Sequence, residues 1–139
     1  MIDVELDVFG TIKTAIETVY SDIYVTSVYV PTPAKLPAVS IIERDNAVYE
    51  RSRDSRAIEN AAHVMYEVNV YSNKVGGRKK EAKGIAATVD SAFAALGFTR
   101  SFKDEVANEK DATIYRIVMR FEAIVETDSA AAYFYHSNT

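Results

Sequence analysis

Two runs of strict alternation constrain this chain more than any other feature in it. Val64, Tyr66, Val68 and Val70 alternate with Met65, Glu67, Asn69 and Tyr71. Further on, Tyr115, Ile117, Met119, Phe121, Ala123 and Val125 alternate with Ile114, Arg116, Val118, Arg120, Glu122 and Ile124. A period of two sends successive side chains to opposite faces of a strand, so each run belongs in a sheet with one apolar face covered. The second run is the longest strand of the chain, and its other face is mixed, apolar and charged.

Two segments have the helical period needed to supply a cover. From Asp3 to Ile23 the residues Val4, Val8, Ile12, Ile16, Val19 and Ile23 recur every three or four positions, which makes one apolar stripe. Asp3, Glu5 and Asp7 fall in the first turns of that helix, where negative charge suits the dipole. Ile85, Val89, Ala92, Phe93 and Leu96 repeat in the same way up to Gly97, a natural stop. Between and after them lie shorter strand candidates. Residues 23–30 are rich in β-branched and aromatic side chains and end at Pro31, Ala38–Glu43 is short and apolar, and Phe98–Lys103 leads into a polar loop over 104–111. All three prolines fall in the connection PTPAKLP, which is excluded from a sheet interior.

The order predicts an α+β fold: a mainly antiparallel sheet of about five strands, with two helices packed on one face. The chain of 139 residues reads as a single domain over 1–126, large enough to bury roughly two-thirds of its unfolded surface. Residues 44–61 read as a protruding charged β-arm or loop. Within it Arg44, Arg51, Arg53 and Arg56 are balanced by Asp45, Glu50, Asp54 and Glu59. A loop of that length in a compact domain usually has a task, often binding. Residues 127–139 show no period and read as a tail, disordered or docking.

Composition narrows the function. The formal charge is -4 and there is no cysteine, so general electrostatic binding of nucleic acid is disfavoured. Disulfide, thiolate, iron–sulfur and cysteine–zinc chemistry are absent with the residue type. No apolar run is long enough to span a bilayer, and the acidic first residues do not resemble a signal peptide, so a soluble protein made in the cytoplasm is expected. His63 and His136 lack metal-ligand spacing. Gly76-Gly77 precedes Arg78, Lys79 and Lys80 but lacks the spacing and hydroxyl of a phosphate loop. No catalytic residue, cofactor or metal is expected.

Charge is nonetheless polarised. Residues 1–34 carry five acids and one lysine, whereas Lys74, Arg78, Lys79, Lys80 and Lys83 put five cations into ten positions. Cations at the start of a helix oppose its dipole, which hints at a compensating anionic partner. On the mixed face of the last strand, Arg116, Arg120 and Glu122 can meet Glu67 and Asn69 across the sheet. With Ile114, Val118 and Ile124 they form either ordinary surface pairs or a subunit contact.

The order of these motifs carries a resemblance. LPAVSIIERDNAVYERSRDSRAIENAAHVMYEVNVYSN, then GGRKKEAKGIAATVDSAFAALGFTRSF and IYRIVMRFEAIV, resemble the tail terminator or tail completion proteins of long-tailed bacteriophages. The likeness spans residues 36–125: a Leu-Pro strand, a charged arm, a strand ending in Val-Tyr-Ser, a helix with a central Asp, a Leu-Gly-Phe stop and an Arg-rich closing strand. It implies a structural, non-enzymatic virion protein at the neck end of the tail. Such proteins form a ring, commonly a hexamer, that caps the tail tube and joins it to the head connector. The implied partners are copies of the chain itself, the tail tube protein and the head connector protein; DNA passes through the lumen without specific binding, and no membrane is involved. Arg51, Arg53 and Arg56 of the arm and Arg78, Lys79 and Lys80 are the candidate interface residues. Two alternatives stay open: a neck or head–tail joining protein of the same fold, and a small-molecule-binding α+β domain using Asp90, Glu67, Arg116 and Arg120.

Overall fold

The computed structural model describes residues 1–49, 61–108, 110–127 and 133–136. Its elements in chain order are α1 (Glu5–Val19), β1 (Tyr24–Thr26), β2 (Ala38–Val48), β3 (Ala61–Ser72), α2 (Arg78–Leu96), β4 (Thr99–Glu105), β5 (Tyr115–Thr127) and β6 (Tyr133–His136). They build a six-stranded sheet in the order β1-β2-β3-β5-β4, with β6 also on β5. Only the β1–β2 pair is parallel. The result is the expected α+β fold.

The two alternating runs are β3 and β5, and they sit side by side at the centre, from Ala61↔Glu126 to Ser72↔Tyr115. The apolar set of each faces the helices. Val64, Tyr66, Val68 and Val70 meet Ile117, Met119, Phe121, Ala123 and Val125 in one cluster with Val8, Ile12 and Ile16 of α1 and Ala82, Ile85, Val89 and Phe93 of α2. Aromatic rings fill the end of this core where α2 finishes. Phe93 stacks on Phe121 at 4.3 Å between centroids, and Phe98 meets Phe93 edge-on at 5.1 Å. Packing at that density is what makes a single methylene felt.

Several boundaries differ from the sequence expectation, each for a local reason. Val19 is 61% exposed although it continues the α1 stripe. At that level α2 offers only Ala87, Thr88, Ser91 and Ala92 beside Ala15 and Val19, side chains too small to cover a valine. The strand expected over 23–30 shrinks to three residues. The Thr26 hydroxyl accepts the Val28 N–H at 3.3 Å, a local bond that competes with the ladder, and Val28 and Tyr29 are left exposed. β2 continues to Val48 rather than stopping at Glu43, through a bulge at Arg44 between Glu43↔Tyr66 and Asp45↔Met65. The root of the charged segment, 44–48, is therefore sheet. Arg51, Arg53 and Arg56 lie outside the described residues.

Gly97 closes α2 in the left-handed region, φ 111°. Its N–H and that of Phe98 both reach the Phe93 carbonyl, at 3.1 and 2.9 Å. A second constraint acts on the same residue, because a Cβ there would lie 2.5 Å from the Tyr135 carbonyl oxygen. That oxygen belongs to β6, a strand within the segment that shows no period in the sequence. β3 occupies one edge of β5, so β4 and β6 share the other: β4 pairs with 117–122 and β6 with 124–127. Tyr133 and Tyr135 pack against the core, Tyr135 5.5 Å from Phe98.

Candidate functional site

The sheet face away from the helices carries polar cross-strand rows where the covered face carries apolar ones. Glu67 on β3 sits opposite Arg120 of β5, which sits opposite Phe102 of β4. Arg44, the bulged residue of β2, donates from Nη2 to Glu67 Oε1 at 3.3 Å, and Arg120 Nε donates to Oε2 at 3.3 Å. The Arg120 guanidinium also lies over the Phe102 ring at 5.0 Å. One carboxylate thus holds two arginines, and the row spans four strands. Burial alone would raise the Glu67 carboxyl; the hydrogen bond and charge of Arg44, with Arg120 and Asn69, outweigh it and hold the pKa below its ordinary value.

A second row runs one pair further along. Arg116 Nε donates to Asn69 Oδ1 at 2.9 Å, and its guanidinium faces the exposed Tyr29 ring at 6.0 Å. On the other side of the first row, the His63 imidazole lies between two carboxylates, 3.0 Å from Glu122 and 3.5 Å from Asp45. Arg116 and Arg120 therefore do pair with Asn69 and Glu67, as the alternation predicts. Glu122 pairs with His63, a partner the sequence reading missed; the Ala62↔Val125 and His63↔Ile124 register places it within reach.

Asp90 does not join this set. It lies on α2, on the opposite side of the sheet, and accepts from Arg100 Nη1 at 3.2 Å. The four polar residues of the small-molecule reading are thus split between two faces. Among the described residues no group of three His, Cys, Asp or Glu could hold a metal ion, and no helix is long and apolar enough to cross a membrane.

The cations before and within α2 form a separate surface. Arg78, Lys79 and Lys80 share its first turn with a single acid, Glu81, and Gly77 is an N-cap without a side-chain bond, so cations outnumber acids where the dipole disfavours them. Arg78 Nη1 donates to the Thr113 carbonyl at 3.1 Å, and Lys79 and Lys80 are exposed. With Lys74, Val75 and Lys83 they line an open depression of about 870 Å³. Val75, at the tip of the turn, is 99% exposed. The structure thus brings Arg78, Lys79 and Lys80 together on one end of the molecule; the sequence reading missed Val75, whose signal was a lone aliphatic residue inside a polar turn.

Comparison with known proteins adds three findings. A family model described as "Tail completion protein gp17" matches residues 11–126. No curated protein matches the chain. Among solved structures, a chain of the "Virion of native gene transfer agent (GTA) particle" superposes with a TM-score of 0.60 at 21% identity, over 84% of this chain and 92% of that one. At that identity the likeness is one of fold.

Proposed function

Because the chain belongs to the tail completion protein gp17 family, a family of structural tail proteins of bacteriophages, we propose that it is a tail terminator. In this reading it forms a closed ring, caps the tail tube of a virion and presents the head connector with a docking surface. The family match over 11–126 carries the reading. The geometry supports it: a sheet with helices on one face leaves Arg44, Phe102 and Arg120 of the other face exposed to a neighbour.

A ring of one chain repeats a heterologous contact until it closes, so each copy must offer two different, complementary surfaces. Arg51, Arg53, Arg56, Arg78, Lys79 and Lys80 are the partner-contacting charges of this reading. The formal charge of -4 suits a lumen through which DNA slides rather than sticks. The role is structural and needs no catalytic group.

The test is the mass of the purified protein over a concentration series, by light scattering coupled to size exclusion, with electron microscopy of the product. A discrete ring of about six subunits that binds purified tail tubes is expected. A monomer that binds neither tube nor connector would overturn the proposal. Capture by connector protein alone would instead assign the chain to the neck side of the joint.

A further inference from the structure

Each of the two ends of the molecule carries an exposed aliphatic side chain set among charges predominantly of one sign, and the signs are opposite. At one end, Val75 is 99% exposed and stands among Lys74, Arg78, Lys79, Lys80 and Lys83. At the other, Leu6 is 85% exposed in the first turn of α1, between Asp3, Glu5 and Asp7, all exposed.

Several contacts show that these are opposite ends. The helices run antiparallel: the Tyr20 hydroxyl, just past the end of α1, reaches Gly84 near the start of α2. The Ile2 carbonyl accepts from Asn46 Nδ2 at 2.7 Å, beside Val64 of β3, while the Ser72 hydroxyl, at the far end of β3, donates to Glu81 of α2 at 2.7 Å. From Val64 to Ser72 the strand spans roughly 27 Å.

We propose that the basic end of one copy docks on the acidic end of the next, with Val75 and Leu6 as the apolar centre and the lysines and acids as its rim. The occupant of each surface is therefore a second copy of this chain. Opposite charge around an apolar centre is the pattern of a specific interface. Because the two surfaces differ and lie at opposite ends, the proposed contact is head-to-tail, and repeated from copy to copy it gives a ring where the rotation closes. The contact also eases the unfavourable position of Arg78, Lys79 and Lys80, since the neighbour's carboxylates add to the single negative charge, Glu81, in the first turn of α2. The inference rests on the ring reading and says which surfaces make it.

The test uses the full chain in two variants, Lys74→Glu/Lys79→Glu/Lys80→Glu and Glu5→Lys/Asp7→Lys, analysed alone and mixed. Each variant alone has like charge at both ends and is expected to associate about tenfold more weakly or worse. An equimolar mixture restores every contact with its sign reversed at alternate joints and is expected to recover the wild-type multimer. Leu6→Lys, at a side chain already in solvent, repeats the acidic-end test where α1 charge is otherwise kept; circular dichroism confirms folding of each. A wild-type multimer that persists in both variants overturns this contact and leaves the ring standing. Weakened variants whose mixture stays dissociated overturn it too, because the ends then meet other surfaces. A wild-type protein that never associates at any concentration, and binds neither tube nor connector, removes both readings.

Discussion

The two faces of the central sheet are made by alternate residues of the same strands, and they are held by different physics. On the helix side, Ile117, Met119, Phe121, Ala123 and Val125 are sealed under α1 and α2. On the other, Arg116, Arg120 and Glu122 are satisfied sideways, by Asn69, Glu67 and His63 on the adjacent strand. Apolar burial is non-directional and tolerates no gap, whereas cross-strand pairing is directional and weak one pair at a time. The first face should therefore decide whether the chain folds, and the second what it meets afterwards.

Substitutions on the two faces test that division. Phe93→Ala, on the covered side, removes a ring stacked on Phe121 and should cost about 3–5 kcal/mol in denaturant unfolding. Gly97→Ala comes next, at about 1–3 kcal/mol or more, because the new methyl meets both a left-handed backbone and the Tyr135 carbonyl. If Gly97→Ala also releases β6, protection of the amides that bond β5 to β6 against hydrogen exchange should fall before that of β3.

On the open face, Glu67→Gln leaves two arginines with a neutral partner and should cost about 1–2 kcal/mol at neutral pH. The Glu67 carboxyl lies below its ordinary value of 4.5 when folded. Its contribution is therefore full above that value and lost as the pH falls through the lower, folded one. The deficit of Glu67→Gln relative to wild type should accordingly shrink in acid, measured by urea midpoints across pH. Phe102→Ala, which removes only the ring beneath Arg120, should change stability by about 0.5–1 kcal/mol. A larger loss for Phe102→Ala than for Phe93→Ala would reverse the division between the faces.

What could be read in the sequence followed the length of each pattern. β3, β5 and the Gly97 stop were legible because their periods run long or end on a residue with one conformational meaning. β6 was not, since four residues make no period and the strand exists only because β4 leaves part of the β5 edge unpaired. The continuation of β2 was hidden because the bulge at Arg44 breaks the alternation within a stretch whose charge reads as solvent-exposed. For the site, spacing along β5 correctly paired Arg120 with Glu67. It could not place Asp90, because the side of the sheet a helix covers is settled by the connections, not by the helix's own residues. Leu6 departs from the α1 stripe and is flanked by acids, a signal present in the sequence but outweighed there by the regular stripe around it.

The bulge at Arg44 also fixes where this chain can change length. Side chains alternate along a strand, so removing one residue from β3 or β5 would turn every later residue of that strand to the wrong face. Arg44 is the surplus residue of its ladder: Glu43 pairs with Tyr66, and Asp45 already pairs with the next residue, Met65. Deleting Arg44 alone would leave Asp45, Asn46, Ala47 and Val48 opposite their present partners and sacrifice one arm of the Glu67 clasp. It is a joint at which the backbone can be shortened by one without turning the surfaces beyond it inside out.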